Sequence, residues 1–118
     1  MSQNVKFRKI AIEFLKLLHQ RYLNEDLYKG NVYFIFNVLT EILKRRLLDF
    51  LKMMRLFIDK KFGISQFEQI LLGLYDGLKV EQIAFYAKPE LKAEEMEIIR
   101  QGFKLGLSLD EIGLYTRP

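Results

Sequence analysis

The chain has 118 residues, half of them hydrophobic, with only two prolines and a formal net charge of +4. A chain this size buries roughly two thirds of its unfolded surface, which suits one domain or two small helical parts sharing a core, and its apolar content argues against disorder. With no cysteine and a single histidine, His19, neither a disulfide framework nor a His/Cys metal set can be assembled, so no cofactor or metal is expected.

The charge is unevenly spread. Residues 1–62 carry 13 Lys/Arg against 6 Asp/Glu, and residues 63–118 carry 6 against 9. The basic part is therefore the one that would face a phosphate backbone or an acidic protein patch. The start, MSQNVKFRK, has no apolar core of a secretory signal. The most apolar run, Val32 to Leu43, is interrupted by Asn37, Thr40 and Glu41, and falls short of the ~20 apolar residues a membrane span needs. A cytoplasmic protein without membrane contact is expected.

In chain order, Asn4 to Leu23 places Phe7, Ile10, Ala11, Phe14, Leu17, Leu18 and Tyr22 at helical spacing, with Asn4 as a candidate N-cap. Asn24-Glu25-Asp26 and Gly30 break the pattern, and Asn31 can cap the next helix. From Val32 to Phe62 the apolar residues Phe36, Leu43, Phe50 and Phe57 recur every seven positions, with Leu39, Leu47 and Met54 in the same stripe and Ile35, Val38 and Ile42 in a second. A helix apolar around most of its circumference must be buried, either by the rest of the chain or by a second copy in a homodimer. The segment reads as one helix, or as two if it breaks near Lys44-Arg45-Arg46. As one helix it would gather Lys44, Arg45, Lys52 and Arg55 within roughly 100° of arc, with Arg46 outside it. These five are the candidate partner- or phosphate-binding residues.

The second half repeats itself. Aligning residues 67–89 with 96–118 gives Glu68/Glu97, Ile70/Ile99, Gly73/Gly102, Gly77/Gly106, Leu78/Leu107, Ile83/Ile112, Tyr86/Tyr115 and Pro89/Pro118, eight identities in 23 positions. Gly77 and Gly106 sit where a helix must stop and glycine adopts the left-handed conformation cheaply. Gly73 and Gly102 lie inside a helix, where each costs about 1 kcal/mol relative to alanine, which points to close helix approach. Ser65 with Glu68 and Ser108 with Glu111 read as capping boxes, and Lys79 replaces the serine between them. Each unit is thus a helix of about 11 residues, a glycine turn and a helix of about 7 or 8. The expected fold is all-α: a basic helical element over 1–62, then two tandem hairpins within 63–118. The last hairpin leaves Phe103, Leu105, Leu109 and Leu114 as an outer face for a partner. Tyr86, Asp110, Glu111 and Tyr115 are the candidate repeat-surface residues.

The stretch YAKPELKAEEMEIIRQGFKLGLSLDEIGLYTRP resembles a short tandem helical repeat of phage, plasmid and conjugative-element proteins of Gram-positive bacteria, Gln-Met-x-x-Ile-Arg-x-Gly-Leu-x-x-Gly-Leu-x-Val-x-x-Tyr-Ala-x-Pro. Met96, Ile99, Arg100, Gly102, Gly106, Leu107, Tyr86, Ala87 and Pro89 occupy matching positions, while Leu71, Thr116 and Arg117 depart from it. The resemblance spans residues 67–118 and implies a mobile-element accessory protein, a class that includes inhibitors of host defence nucleases such as anti-CRISPR proteins. LGLSLDEI is also similar to the turn of MerR-type regulators, but that family's preceding helix-turn-helix is missing, and Asp110 and Glu111 suit a DNA groove poorly.

No nucleotide-binding glycine loop follows a strand. Glu94, Glu95 and Glu97 lie at a helix start, where carboxylates meet the dipole favourably, and Ser2, Ser65 and Ser108 sit at a terminus or caps. The sequence therefore predicts no catalytic residue. It predicts a non-catalytic accessory protein that binds a protein or nucleoprotein complex, inhibiting a host defence nuclease on the strength of the resemblance. The alternative is a small nucleic-acid-binding or transcriptional regulatory protein that uses its basic helices.

Overall fold

A computed structural model describes residues 3–21, 32–57 and 60–116. Among these residues are seven helices and no strand: α1 (Gln3–Arg21), α2 (Val32–Arg45), α3 (Leu47–Phe57), α4 (Ile64–Tyr75), α5 (Val80–Tyr86), α6 (Ala93–Lys104) and α7 (Leu109–Thr116). The expected breakers and cap at Asn24-Glu25-Asp26, Gly30 and Asn31 fall outside the described residues.

The apolar segment from Val32 is two helices rather than one. It breaks at Arg46, although the Arg46 N–H still bonds the Ile42 carbonyl and the Arg46 carbonyl accepts from Phe50. The break lets α2 pack on α4 while α3 packs on α5, so the pair follows the first hairpin around its turn. The break places Lys44 and Arg45 at the end of α2 and Lys52 and Arg55 on α3. Helix α2 is covered by α1 and α4, which buries Ile35, Val38, Leu39, Ile42 and Leu43 without a second copy. The heptad stripe holds only in part. Phe50 is buried, Phe36 and Met54 are partly so, and Leu47 faces outward.

Helix α1 lies against α2 through a narrower face than its spacing suggests. Ala11 is buried and the Phe14 ring meets Phe50 edge-on at 5.3 Å and Phe67 at 5.9 Å. Ile10 and Leu17 instead lie exposed at its flank. The helix already includes Gln3, so Asn4 lies in its first turn and not at its cap.

The two hairpins are copies in three dimensions as well. Helices α4 and α6 both have 12 residues, and every boundary from Ile64 to Val80 recurs 29 residues later, from Ala93 to Leu109. Gly77 and Gly106 have positive φ of 87° and 91°. The N–H of each bonds three residues back, to Leu74 and Phe103, and the next residue's N–H reaches Gly73 and Gly102. This pair of bonds is the Schellman closure, which satisfies the last carbonyls of each helix. The helix starts obey a second rule. The N-cap N–H of Gly63, Lys79, Lys92 and Ser108 donates to the side chain three residues on, Gln66, Gln82, Glu95 and Glu111. Only Ser108 completes the reciprocal box, its hydroxyl accepting from the Glu111 N–H at 3.1 Å. Ser65 lies inside α4, one residue past its start, so the proposed Ser65–Glu68 box is replaced by Gly63 and Gln66.

Gly73 explains why an interior helix position gives up its side chain. The Tyr86 hydroxyl crosses the α4 backbone there and donates to the Gln69 carbonyl at 2.7 Å. A β-carbon at Gly73 would overlap that hydroxyl and stand 3.0 Å from Cγ1 of Ile83. Tyr86 is therefore core, with no exposed surface, and not part of a repeat surface. Burial holds its hydroxyl above the ordinary tyrosine range.

Gly73→Ala should accordingly destabilise by about 1–3 kcal/mol through overpacking, where an open helical site would gain from alanine. Adding Tyr86→Phe should recover part of that loss, because the overlapping atom is gone; urea melts of the double-mutant cycle read the coupling. Burial also raises the folded-state pKa of Tyr86 above its unfolded value of 10.0. Its stabilisation is then complete below pH 10 and lost as pH rises further. The fall in stability between pH 10 and 11 should be shallower in Tyr86→Phe than in the parent chain.

Candidate protein-docking surfaces

The hairpins are joined by a charged contact set in an apolar interface. Arg100 on α6 is 5% exposed. Its Nε donates to Gln69 Oε1 at 3.0 Å, and its Nη1 donates to Asp76 Oδ2. Lys104 reaches the other Asp76 oxygen at 3.7 Å. Beside this network the Phe103 ring meets Phe85 edge-on at 5.9 Å. The outward side of the first hairpin thus offers Gln69, Asp76 and Phe85, and the second hairpin seats on them. Gln66 fixes the linker between them: its amide nitrogen donates to the Pro89 and Leu91 carbonyls while its oxygen caps α4.

Moving 29 residues on, the positions of Gln69, Asp76 and Phe85 become Ile98, Leu105 and Leu114. These are 60%, 83% and 69% exposed. The second hairpin repeats the surface that receives a neighbour, with apolar side chains where the first has an amide, a carboxylate and a ring. Leu109 in the same hairpin is also exposed. Of the expected outer face, Leu105, Leu109 and Leu114 lie outward as read from the sequence, whereas Phe103 is buried against Phe85. Ile98 belongs with the exposed set; it sits among Glu94, Glu97 and Gln101, which are exposed too. In α7, Asp110 and Glu111 are exposed in the first turn. Hydrogen bonds from Ser108 hold the Glu111 carboxyl below its ordinary range. The Tyr115 side chain lies outside the described residues.

The basic candidates divide. Arg46 is half-buried and engaged within the chain: it donates to Asp49 Oδ2 at 2.9 and 3.2 Å and to the Leu74 carbonyl at 2.8 Å. Lys44 and Arg45 approach Glu41 at 3.9 and 3.5 Å, and the Arg45 guanidinium stands 5.5 Å over the Tyr75 ring. Arg45 and Arg46 thus close the end of α4, where cations meet the helix dipole favourably. Lys52 and Arg55 are exposed on α3, on the arc that also carries Leu47, Leu48 and Leu51, exposed by 39%, 74% and 47%.

A groove between α2 and α4, lined by Phe34, Ile35, Val38, Glu68, Leu71 and Leu72, has an inner volume of about 10 Å³, which is room for one water. Among the described residues no three His, Cys, Asp or Glu side chains are grouped to hold a metal ion, and no helix is long and apolar enough to cross a membrane.

No protein-family model matches the chain, and neither a curated protein nor a solved structure similar to it is found.

Removing Asp76 should strand a buried guanidinium. Asp76→Ala is expected to cost about 3–5 kcal/mol, whereas Lys104→Ala, on a half-exposed ion pair, should cost under about 1 kcal/mol. Replacing the set by apolar side chains, with Gln69 and Asp76 changed to their counterparts in the other copy (Gln69→Ile, Asp76→Leu and Arg100→Leu together), should recover most of the loss, because an apolar joint leaves no charge unpaired. Urea unfolding of the three variants decides it.

Proposed function

We propose that this protein acts by binding another protein, without chemistry of its own, and that it docks through the outer face of its second hairpin. One observation supports the reading above all others. The positions by which one hairpin receives the next, Gln69, Asp76 and Phe85, recur as the exposed apolar side chains Ile98, Leu105 and Leu114. An apolar patch with a polar rim is the usual anatomy of a docking face. Such a face cannot accept a second arginine in the way the first hairpin accepts Arg100, since Ile98 and Leu105 offer neither amide nor carboxylate. The partner therefore presents apolar side chains there. The resemblance of the repeat to mobile-element accessory proteins favours a target within a nucleoprotein complex, such as a host defence nuclease that the protein inhibits in the manner of anti-CRISPR proteins.

The second reading, nucleic-acid or transcriptional regulatory binding by the basic helices, draws on the exposed Lys52 and Arg55 and on the charge of residues 1–62. It is weakened because Arg46 is spent inside the fold and Lys44 and Arg45 lie against Glu41.

The two readings separate in an affinity capture from bacterial lysate, with and without nuclease, read by mass spectrometry. On the first, a defined protein is retained after nuclease treatment, is lost with Leu105→Lys/Leu114→Lys, and is kept with Lys52→Glu/Arg55→Glu. Recovery of nucleic acid alone, lost with the charge reversal and steeply with salt, would overturn it.

A further inference from the structure

We infer that copies of this chain associate head to tail, the exposed face of α3 in one copy seating on the outer face of α6 and α7 in the next. The inference rests on the reading of the second hairpin as a docking face and names an occupant for it.

Among the described residues, two of the exposed apolar faces carry opposite charge. On α3, Leu47, Leu48 and Leu51 share an arc of roughly 140° with Lys52 and Arg55, and Lys44 and Arg45 stand at the end of the preceding helix. At the other end, Ile98, Leu105, Leu109 and Leu114 share their helices with the exposed carboxylates Glu94, Glu97, Asp110 and Glu111, and Lys104 at the edge of the same α6 arc is paired with Asp76. Two like faces brought together would set carboxylate against carboxylate or cation against cation, which costs association energy. Head-to-tail contact sets aliphatic side chains on one another and brings a basic rim toward a mainly acidic one. Because the two patches differ, the contact is heterologous: each copy keeps one free face after pairing, so association proceeds to a ring or an open chain. In effect the next copy's α3 continues the stack of helix pairs that α2–α3, α4–α5 and α6–α7 begin.

That geometry has a signature no two-fold dimer shares. Leu48→Glu/Leu51→Glu blocks one face, and Leu105→Lys/Leu114→Lys blocks the other; all four positions are exposed, so helical content by circular dichroism should match the parent chain. In sedimentation equilibrium the parent chain's weight-average mass should rise with concentration well above 14.1 kDa, and fall back toward it as salt is raised. Each blocked variant alone should stay at the monomer mass. Their equimolar mixture should form a species of twice that mass and no larger, since each supplies the face the other lacks. A parent chain that remains monomeric to millimolar concentration would overturn the inference, as would a parent dimer whose blocked variants fail to complement each other. Neither result touches the docking reading, which is tested by whether Leu105→Lys/Leu114→Lys loses a captured protein that Leu48→Glu/Leu51→Glu retains.

Discussion

The architecture depends on what happens at the C-terminal end of α4. A helix end exposes carbonyls that need donors and a partial negative charge that favours cations. Here four basic residues surround it. Arg46 takes the Leu74 carbonyl and Arg45 lies over Tyr75 from the α2 side, while Arg100 and Lys104 meet Asp76 from the α6 side. Gly77 turns the chain between them, its own N–H and that of Leu78 closing the helix end. The layer before α4 and the layer after it are therefore registered against one point. Displacing that point would disturb both contacts at once, because each arginine is already committed to it.

This arrangement also explains why the two copies of the repeat have diverged where they have. Their turns agree closely, because each helix end is shut by the same Schellman closure, and in the first copy the tight Gly73–Tyr86 crossing adds its own restriction. Their outward faces differ, because they meet different surroundings. The first copy faces a neighbour that brings an arginine, and has an amide and a carboxylate to receive it. The second has only aliphatic side chains at those places. Buried ion pairs gain little net stability over well-packed apolar contacts, yet they penalise every mismatched alternative. In this chain the arginine joint fixes the order of the layers, and the aliphatic face beyond it is free of that restriction.

Much of this was legible in the sequence. The duplication, the glycine turns, the close approach at Gly73 and the Ser108–Glu111 box all rest on local rules that need only neighbouring residues, and the structure has each of them. What was not legible depends on distant partners. Arg46 looked like one of a run of free cations, because nothing local says that its acceptor is a carbonyl 28 residues away. Tyr86 looked like a surface residue for the same reason, since the polar atom it satisfies belongs to another helix. Arg100 offered a signal that composition hides: it falls on the helix face of Met96, Ile99 and Phe103, all buried, and an arginine at that register must find a partner or unfold the face.

Single exposed aliphatic residues are ordinary on any protein, and Leu105 or Ile98 alone would signify little. They gain meaning from the repeat, because their counterparts Asp76 and Gln69 are contact residues in the first copy. A duplication thus supplies an internal control that a single hairpin lacks: one copy shows what the surface does when a neighbour covers it, and the other presents the same positions to solvent. All three of those positions are aliphatic and exposed in the second copy, and that coincidence is what the proposed docking role draws on.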